Sequence, residues 1–107
     1  MNFFKKLFRK AERKEGLNVY IVKKLHPAVK AYVEYETEHG MLLPKDFKTD
    51  PAAWLEVLRG IEYAFDELYK EYSGELGDQN DQEKYFAREA RIQKGLELFG
   101  KYLRDLR

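Results

Sequence analysis

Few residues of this 107-residue chain could carry out chemistry, and the first candidates form a Glu-x-x-His pair. Glu36 and His39, in the stretch "ETEH", are three residues apart, so a helix would place both on one face. A di-iron centre in a helical bundle uses two such pairs and two further glutamates. The chain has only one other histidine, His26, and no second pair. We therefore expect both residues of the pair to lie at a solvated helix end, where positive charge on His39 is favourable, and to bind no metal.

Other catalytic groups are also scarce. The stretch "DQNDQE" (78–83) is similar to a calcium loop but lacks its central glycine, and its twelfth position, Glu89, falls within a predicted helix. Ser73 is the only serine, and neither Thr37 nor Thr49 has a plausible pairing with a histidine and an acid as a catalytic group. The chain has no cysteine and no glycine-rich phosphate loop. The sequence therefore predicts a protein that is not an enzyme and carries no cofactor.

The most distinctive chemical feature is residues 1–14, "MNFFKKLFRKAERK", which we call the basic segment. It carries six cations against Glu12 alone, a net charge of +5. Phe3, Phe4, Leu7 and Phe8 recur at helical spacing, with the cations on the other face. Such a helix can pack on its own bundle, bind another subunit or a partner, or contact nucleic-acid phosphates. The candidate binding residues are five of its cations and two tyrosines of the next helix: Lys5, Lys6, Arg9, Lys10, Arg13, Tyr20 and Tyr32.

The apolar face of the basic segment must pack against another surface if the segment is to form a stable helix. An isolated helix of this length is marginal in water, whereas burying each large apolar side chain stabilises by about 1.5–3 kcal/mol. We expect the segment to cover or extend a subunit interface, which predicts a homo-oligomer with a cationic rim. Docking on its own bundle remains the alternative, and a membrane is the partner that we least expect.

Hydrophobic period and helix punctuation predict an all-α bundle of three or four helices in a single domain. The predicted helices are residues 2–14, 18–39, 51–72 and 82–106. Within this domain, the basic amphipathic helix (1–15) precedes a helical core (18–107). Pro27 predicts a kink or break near Leu25–His26, and the apolar loop 40–49 should fold back over one end of the bundle. The last two helices should form an antiparallel hairpin.

The apolar seams predict which side chains are buried. On the second helix the predicted stripe is Tyr20, Ile21, Leu25, Ala28, Val29 and Tyr32. The last two helices should share a core of Trp54, Ile61, Phe65, Leu96, Phe99 and Leu103. The seam of the last helix should begin at Tyr85 or Phe86, with Glu89 as a polar interruption. We expect Glu89 to pair with a cation, to bond a tyrosine hydroxyl, or to lie at the edge of the seam. Gly95 and Gly100 each cost roughly 1 kcal/mol relative to alanine, and we expect at least one of them to permit a close helix approach.

Two stretches of these helices resemble a known family. The pattern "WLEVLRGIEYAF" (54–65), followed by "GLELFGKYL" (95–103), is similar to small helical proteins encoded by tailed phages and prophages. The similarity covers about residues 19–103 and includes the proline element "KKLHPAVKAY". It departs from the family at the end, where "LRDLR" stands in place of an expected Leu-Trp. The resemblance implies a phage or prophage origin and brings no established activity.

Together these features predict a binding protein of the infected bacterial cytoplasm. No apolar run approaches the roughly 20 residues of a membrane span. Small accessory phage proteins often act against the host, so we expect an antagonist of host defence that binds a host protein or sequesters a nucleotide signal. The alternative is a nucleic-acid-binding or virion-associated accessory protein that uses its cations against phosphates.

Overall fold

The computed structural model describes residues 16–77 and 80–107, and these residues form three α-helices. The helices are α1 (Leu17–His39), α2 (Pro51–Tyr72) and α3 (Gln82–Tyr102), with single 3-10 turns at Lys45–Phe47 and Leu103–Asp105. The described part of the chain contains no strand, so the predicted all-α class is confirmed. The predicted helix 2–14 lies outside the described residues.

Helices α2 and α3 begin where the sequence predicts. The Asp50 carboxylate accepts the backbone N–H of Ala53 at 3.0 Å, and Pro51 occupies the first turn of α2. Asp81 accepts the N–H of Lys84 at 3.2 Å at the start of α3. Each cap satisfies a backbone donor that a helix start leaves without an intrahelical partner. Local chemistry therefore fixes both boundaries.

Helix α1 continues through Pro27 to His39, so a break near Leu25–His26 is wrong. Val22 and Val33, on either side of the proline, are 5% and 1% exposed and belong to one hydrophobic core. Packing against α2 on both sides of Pro27 outweighs the single backbone hydrogen bond that a proline removes.

Helix α2 is the central element. Both α1 and α3 pack against it, whereas the Cα atoms of α1 and α3 do not come within 8 Å of each other in the described residues. Contacts between α2 and α3 pair in reverse order along the chain: Glu67 meets Arg88, and Trp54 meets Tyr102. This arrangement leaves two opposite faces of α2 between its neighbours, one polar and one apolar.

The core is built on the apolar seam of α2. Its buried members are Trp54, Val57, Leu58, Ile61, Ala64 and Phe65. The Trp54 ring centroid lies 5.1 Å from that of Phe47 and 5.5 Å from that of Tyr102, so the loop after α1 does fold over this end of the bundle. Among the apolar side chains of that loop, Leu42 is the exception, since it is 63% exposed.

Helix α3 contributes less to the core than its sequence predicts. Leu96 and Phe99 pack against the core, but Leu103 is 53% exposed because the α-helix ends at Tyr102 and a 3-10 turn follows. Tyr85 and Phe86 are 42% and 66% exposed, so a seam beginning there is also wrong. Among the described residues of α3, the buried ones are Ile92 and Gly95.

Gly95 provides the close approach between α2 and α3. A Cβ atom at Gly95 would lie 2.6 Å from the Cβ of Ala64 and would also collide with the carbonyl oxygen of Gly60. A Cβ atom at Gly100 would meet nothing within 4 Å, so a close approach there is wrong. The helix propensity lost at Gly95 is therefore offset by packing, and that lost at Gly100 is not.

A polar cleft as the candidate functional site

The described residues do not assemble the predicted binding residues into one site. Tyr20 and Tyr32 both lie on α1 and are both partly buried, but twelve positions of helix separate them by about 18 Å. The predicted cations Lys5, Lys6, Arg9, Lys10 and Arg13 lie outside the described residues. A site in this part of the chain must therefore come from other side chains.

A polar cleft of about 560 Å³ opens across one face of all three helices. Its lining combines Lys30, Glu34 and Thr37 from α1, Arg59, Glu62, Tyr63 and Asp66 from α2, and Arg91 from α3. Charges of both signs line the cleft, so the arrangement of its ion pairs decides what it can bind. No spacing along the sequence indicates this set, because its members meet only through the packing of α1 and α3 on α2.

Arg91 is the most constrained cation of the cleft. Its guanidinium carbon lies 3.7 Å from the centroid of the Tyr63 ring, which is cation–π stacking geometry. Stacking fixes the plane of the guanidinium while leaving its N–H donors at the edge. Arg91 forms no ion pair with a described carboxylate, so these donors are available to an anion.

Of the remaining charged residues of the cleft, some form ion pairs and others do not. Arg59 donates to Glu62 at 3.1 Å, which neutralises both. Lys30 and Glu34 form no ion pair within the described residues. The cleft thus offers two cations from different helices and one carboxylate that can accept hydrogen bonds. It can bind an anionic group and, at the same time, a hydroxyl or amino group.

Asp66 at the edge of the cleft is held by two neighbours. The Nε2–H of His26 donates to its Oδ1 at 2.9 Å, and the Nζ of Lys70 lies 3.6 Å from its Oδ2. The His26 ring also stacks on Tyr69 with ring centroids 4.3 Å apart. Burial raises the pKa of Asp66, but the His26 hydrogen bond and the charges of Lys70, His26 and Lys30 outweigh it and lower that pKa below 3.8. Asp66 is therefore an ionised anchor that joins α1 to α2.

The Glu-x-x-His pair does not form a site. Glu36 is 3% exposed and accepts the backbone N–H of Leu42 at 3.1 Å, so its expected place at a solvated helix end is wrong. His39 is exposed, and its Nδ1–H donates to the carbonyl of Tyr35 at 3.1 Å. Within residues 16–77 and 80–107, no three His, Cys, Asp or Glu side chains could together hold a metal ion. The calcium-like stretch includes residues 78 and 79, which lie outside the described residues.

Glu89 is paired as expected but is not a buried interruption of the seam. Its side chain is 42% exposed, and it accepts a hydrogen bond from Arg88 at 3.2 Å. Arg88, whose side chain is 10% exposed, also donates to the Glu67 carboxylate at 3.3 Å, to the Glu67 carbonyl at 3.0 Å and to Glu71 at 3.4 Å. A single arginine therefore joins α3 to α2 behind the cleft-lining residues.

The chain matches no protein-family model, no curated protein sequence and no solved structure. In the portion that the structure describes, no helix combines the length and the apolar character needed to cross a bilayer. The chemistry of the polar cleft therefore carries the functional argument.

Proposed function

We propose that the protein is a phage-encoded binding protein without catalytic activity, which antagonises host defence in the bacterial cytoplasm by sequestering a nucleotide-type signal. The observation that carries this proposal is the stacking of Arg91 on Tyr63 in a cleft that also contains Lys30, which forms no ion pair with another described residue. A planar guanidinium held in place beside a second cation is suited to a phosphate group.

The rest of the cleft fits the remainder of such a ligand. Glu34 can accept hydrogen bonds from ribose hydroxyls or from the amino group of a base, and Thr37 adds a hydroxyl. A volume of about 560 Å³ lies within the range of about 300–1,000 Å³ that is usual for small-molecule sites. Size and donor set together favour a mononucleotide or dinucleotide over a single inorganic ion.

Binding is favoured over catalysis because two of the three carboxylates that line the cleft are engaged, which leaves Glu34 without a second free carboxylate to act as its acid or base partner. Glu62 is paired with Arg59, and Asp66 is paired with His26 and Lys70. A general acid or base needs a free carboxyl or imidazole with a pKa near the working pH, whereas the pKa of Asp66 is lowered.

The phage origin rests on the sequence resemblance alone. Its motif residues Trp54, Ala64, Phe65 and Gly95 are buried core positions, so the motif describes how α2 packs on α3 rather than what the cleft binds. The reversed order of contacts along these two helices supports the antiparallel hairpin, which we include in the proposal. The ligand class is inferred from the cleft, independently of this origin.

Native mass spectrometry of the full-length protein, after incubation with an extract of defence-active bacteria, tests the proposal. We expect one retained small molecule per chain, with a mass and ultraviolet spectrum typical of a nucleotide. Arg91→Ala should abolish retention because it removes the positioned guanidinium. Lys94→Ala is the matched control, since Lys94 is an exposed cation on the same helix outside the cleft lining. Retention that is unchanged in Arg91→Ala would contradict this assignment.

A host protein is the second candidate target, and one observation favours it. Tyr85 and Phe86 form an edge-to-face pair with centroids 5.5 Å apart, and both remain largely exposed at the start of α3. Exposed aromatic side chains of this kind often anchor protein interfaces. If a host protein is the target, Phe86→Ala should abolish anti-defence activity in infected cells while Arg91→Ala leaves it intact.

A further inference from the structure

Helix α1 carries an apolar stripe that the described residues cover only in part. The stripe consists of Leu17, Ile21, Leu25, Ala28 and Tyr32, which recur every three or four positions on one side of the helix. Leu17 is 42% exposed and Ile21 41% exposed, and Ala28 is also exposed. The sequence predicts burial of Ile21 and Ala28, but the fully buried apolar residues of α1 are Val22 and Val33 instead. The stripe therefore needs a cover from outside the described residues.

A nearly apolar crevice opens beside this stripe. It is lined by Ala28, Val29 and Tyr32 of α1, Leu58 and Ile61 of α2, and Leu106 near the end of the chain. Its volume is about 150 Å³. A dry apolar cavity of about that size can hold one benzene ring. The crevice is therefore suited to a single phenyl side chain. It lies on the other side of α1 from the cleft residues Lys30 and Glu34.

We propose that residues 2–14 of the same chain dock as a helix along the apolar stripe, with the Phe4 ring in the crevice. The position of the segment in the chain supports this placement. Only Glu15 and Gly16 separate it from Leu17, and such a short connection between helices makes them antiparallel neighbours. The proposal concerns the opposite face of α1 from the polar cleft and does not depend on the ligand.

Counting from the connection gives the register. Phe4 stands twelve positions before Gly16, and Ala28 stands twelve positions after it, so both lie about 18 Å from the turn. By the same count, Leu7 lies level with Leu25, and Ala11 lies level with Ile21. The apolar side chains of the segment therefore meet the stripe at matching levels.

Charge also favours this occupant. Residues 1–14 carry +5, and the remaining residues carry 14 positive and 18 negative side chains, which is −4. Docking through the Phe face would leave the cations of the segment in water on the outer side. Covalent attachment gives the segment an effective concentration in the millimolar range, so its own chain captures it ahead of a second copy. This docking takes the place of the subunit interface expected from the sequence.

Engineered disulfides test the proposal in the full-length chain, which contains no native cysteine. The test pair is Phe4→Cys with Ala28→Cys. The control pair is Phe4→Cys with Lys30→Cys, because Lys30 is exposed at almost the same level of α1 but on the other flank. After mild oxidation at low protein concentration, non-reducing gels and intact mass should show an intrachain bond several-fold more often in the test pair. Equal yields in both pairs, or a product that is only interchain, would overturn the proposal.

A second measurement uses a reference variant that keeps the Phe4 ring. The single variant Ala28→Cys should react slowly with a maleimide while Phe4 covers the crevice. Adding Phe4→Ser should raise the reaction rate several-fold, whereas adding Lys6→Ser should leave it unchanged, because Lys6 lies on the cationic face. Circular dichroism should show the same helix content with and without Lys6→Ser, and a loss limited to about the length of the segment with Phe4→Ser, because an undocked helix this short is marginal in water. Identical rates with and without Phe4 would show that another group covers this position.

Discussion

At the residue scale, two polar side chains of α1 depend on an environment that their own sequence does not reveal. Glu36 is almost fully buried and fixes the loop after α1 by accepting the N–H of Leu42. The Tyr32 hydroxyl is buried and makes no hydrogen bond of ordinary geometry in the described part of the chain. Burial, followed by the charge of Glu36, raises the pKa of Tyr32, although the Arg107 backbone acts in the opposite direction. Apolar spacing places Tyr32 in the predicted stripe, but it cannot distinguish the position of Glu36 from a solvated one.

Replacing Glu36 should therefore destabilise the protein. Glu36→Ala should lower the free energy of unfolding by about 1–3 kcal/mol, because the backbone N–H of Leu42 loses its carboxylate acceptor. Glu36→Gln should cost less, since the amide oxygen still accepts that hydrogen bond. Glu38→Ala is the control, because Glu38 is exposed on the same helix. Urea denaturation followed by circular dichroism measures all three, and equal midpoints for Glu36→Ala and Glu38→Ala would contradict the assigned role.

The lowered pKa of Asp66 predicts a dependence of stability on pH. The unfolded chain binds the proton more tightly than the folded protein, so ionised Asp66 stabilises the fold at every pH above its ordinary value of 3.8. This contribution disappears as the pH falls through the lower pKa of the folded state. The melting temperature of the native protein should exceed that of Asp66→Asn at pH 7, and the difference should shrink from pH 4 towards pH 2. A difference that grows between pH 4 and pH 2 would contradict the His26–Asp66 pair.

At the scale of elements, the sequence predicts features that depend on residues close together in the chain, such as helix starts. It does not predict features that depend on how one helix packs against another. The caps Asp50 and Asp81 locate the starts of α2 and α3, because each acts within its own first turn. Two other features depend on how whole helices are placed. One is the flank of α1 that packs on α2, and the other is which glycine, Gly95 or Gly100, lies at the close helix approach. The polar cleft is missed for the same reason, since Lys30, Tyr63 and Arg91 come from three different helices.

Alanine substitutions at the two glycines of α3 should have opposite effects. Gly95→Ala forces a Cβ atom against Gly60 and Ala64, so overpacking should cost about 1–3 kcal/mol. Gly100→Ala meets open space and should stabilise the helix by up to about 1 kcal/mol. Thermal unfolding of the two variants under identical conditions measures the contrast. A neutral or stabilising effect of Gly95→Ala would show that α2 and α3 can move apart without loss of stability.

At the scale of the whole molecule, its two candidate binding surfaces lie on opposite flanks of α1. The polar cleft involves Lys30 and Glu34, and the proposed docking site of the basic segment involves Ala28 and Tyr32. Two independent interactions with anions are then available to one small chain: one through a positioned arginine in a cleft, and one through the cations of the basic segment. The first gives selectivity through geometry, and the second gives salt-sensitive attraction to any polyanion.

Charge reversal of the basic segment should separate these two interactions. The quadruple variant Lys5→Glu, Lys6→Glu, Arg9→Glu and Lys10→Glu should keep the subunit number measured by light scattering, because its Phe face is intact. It should lose binding to random-sequence DNA. In the native protein, that binding should weaken steeply between 50 and 200 mM salt, because about four or five phosphates are neutralised. Retention of the small molecule from the cell extract should not change, because screening beyond about 8 Å isolates the cleft from the segment at physiological salt.

Arg91→Ala should show the converse result, with retention lost and DNA binding kept. Loss of both interactions in the quadruple variant would instead indicate a single continuous anion-binding surface, and would favour the nucleic-acid alternative over a nucleotide signal.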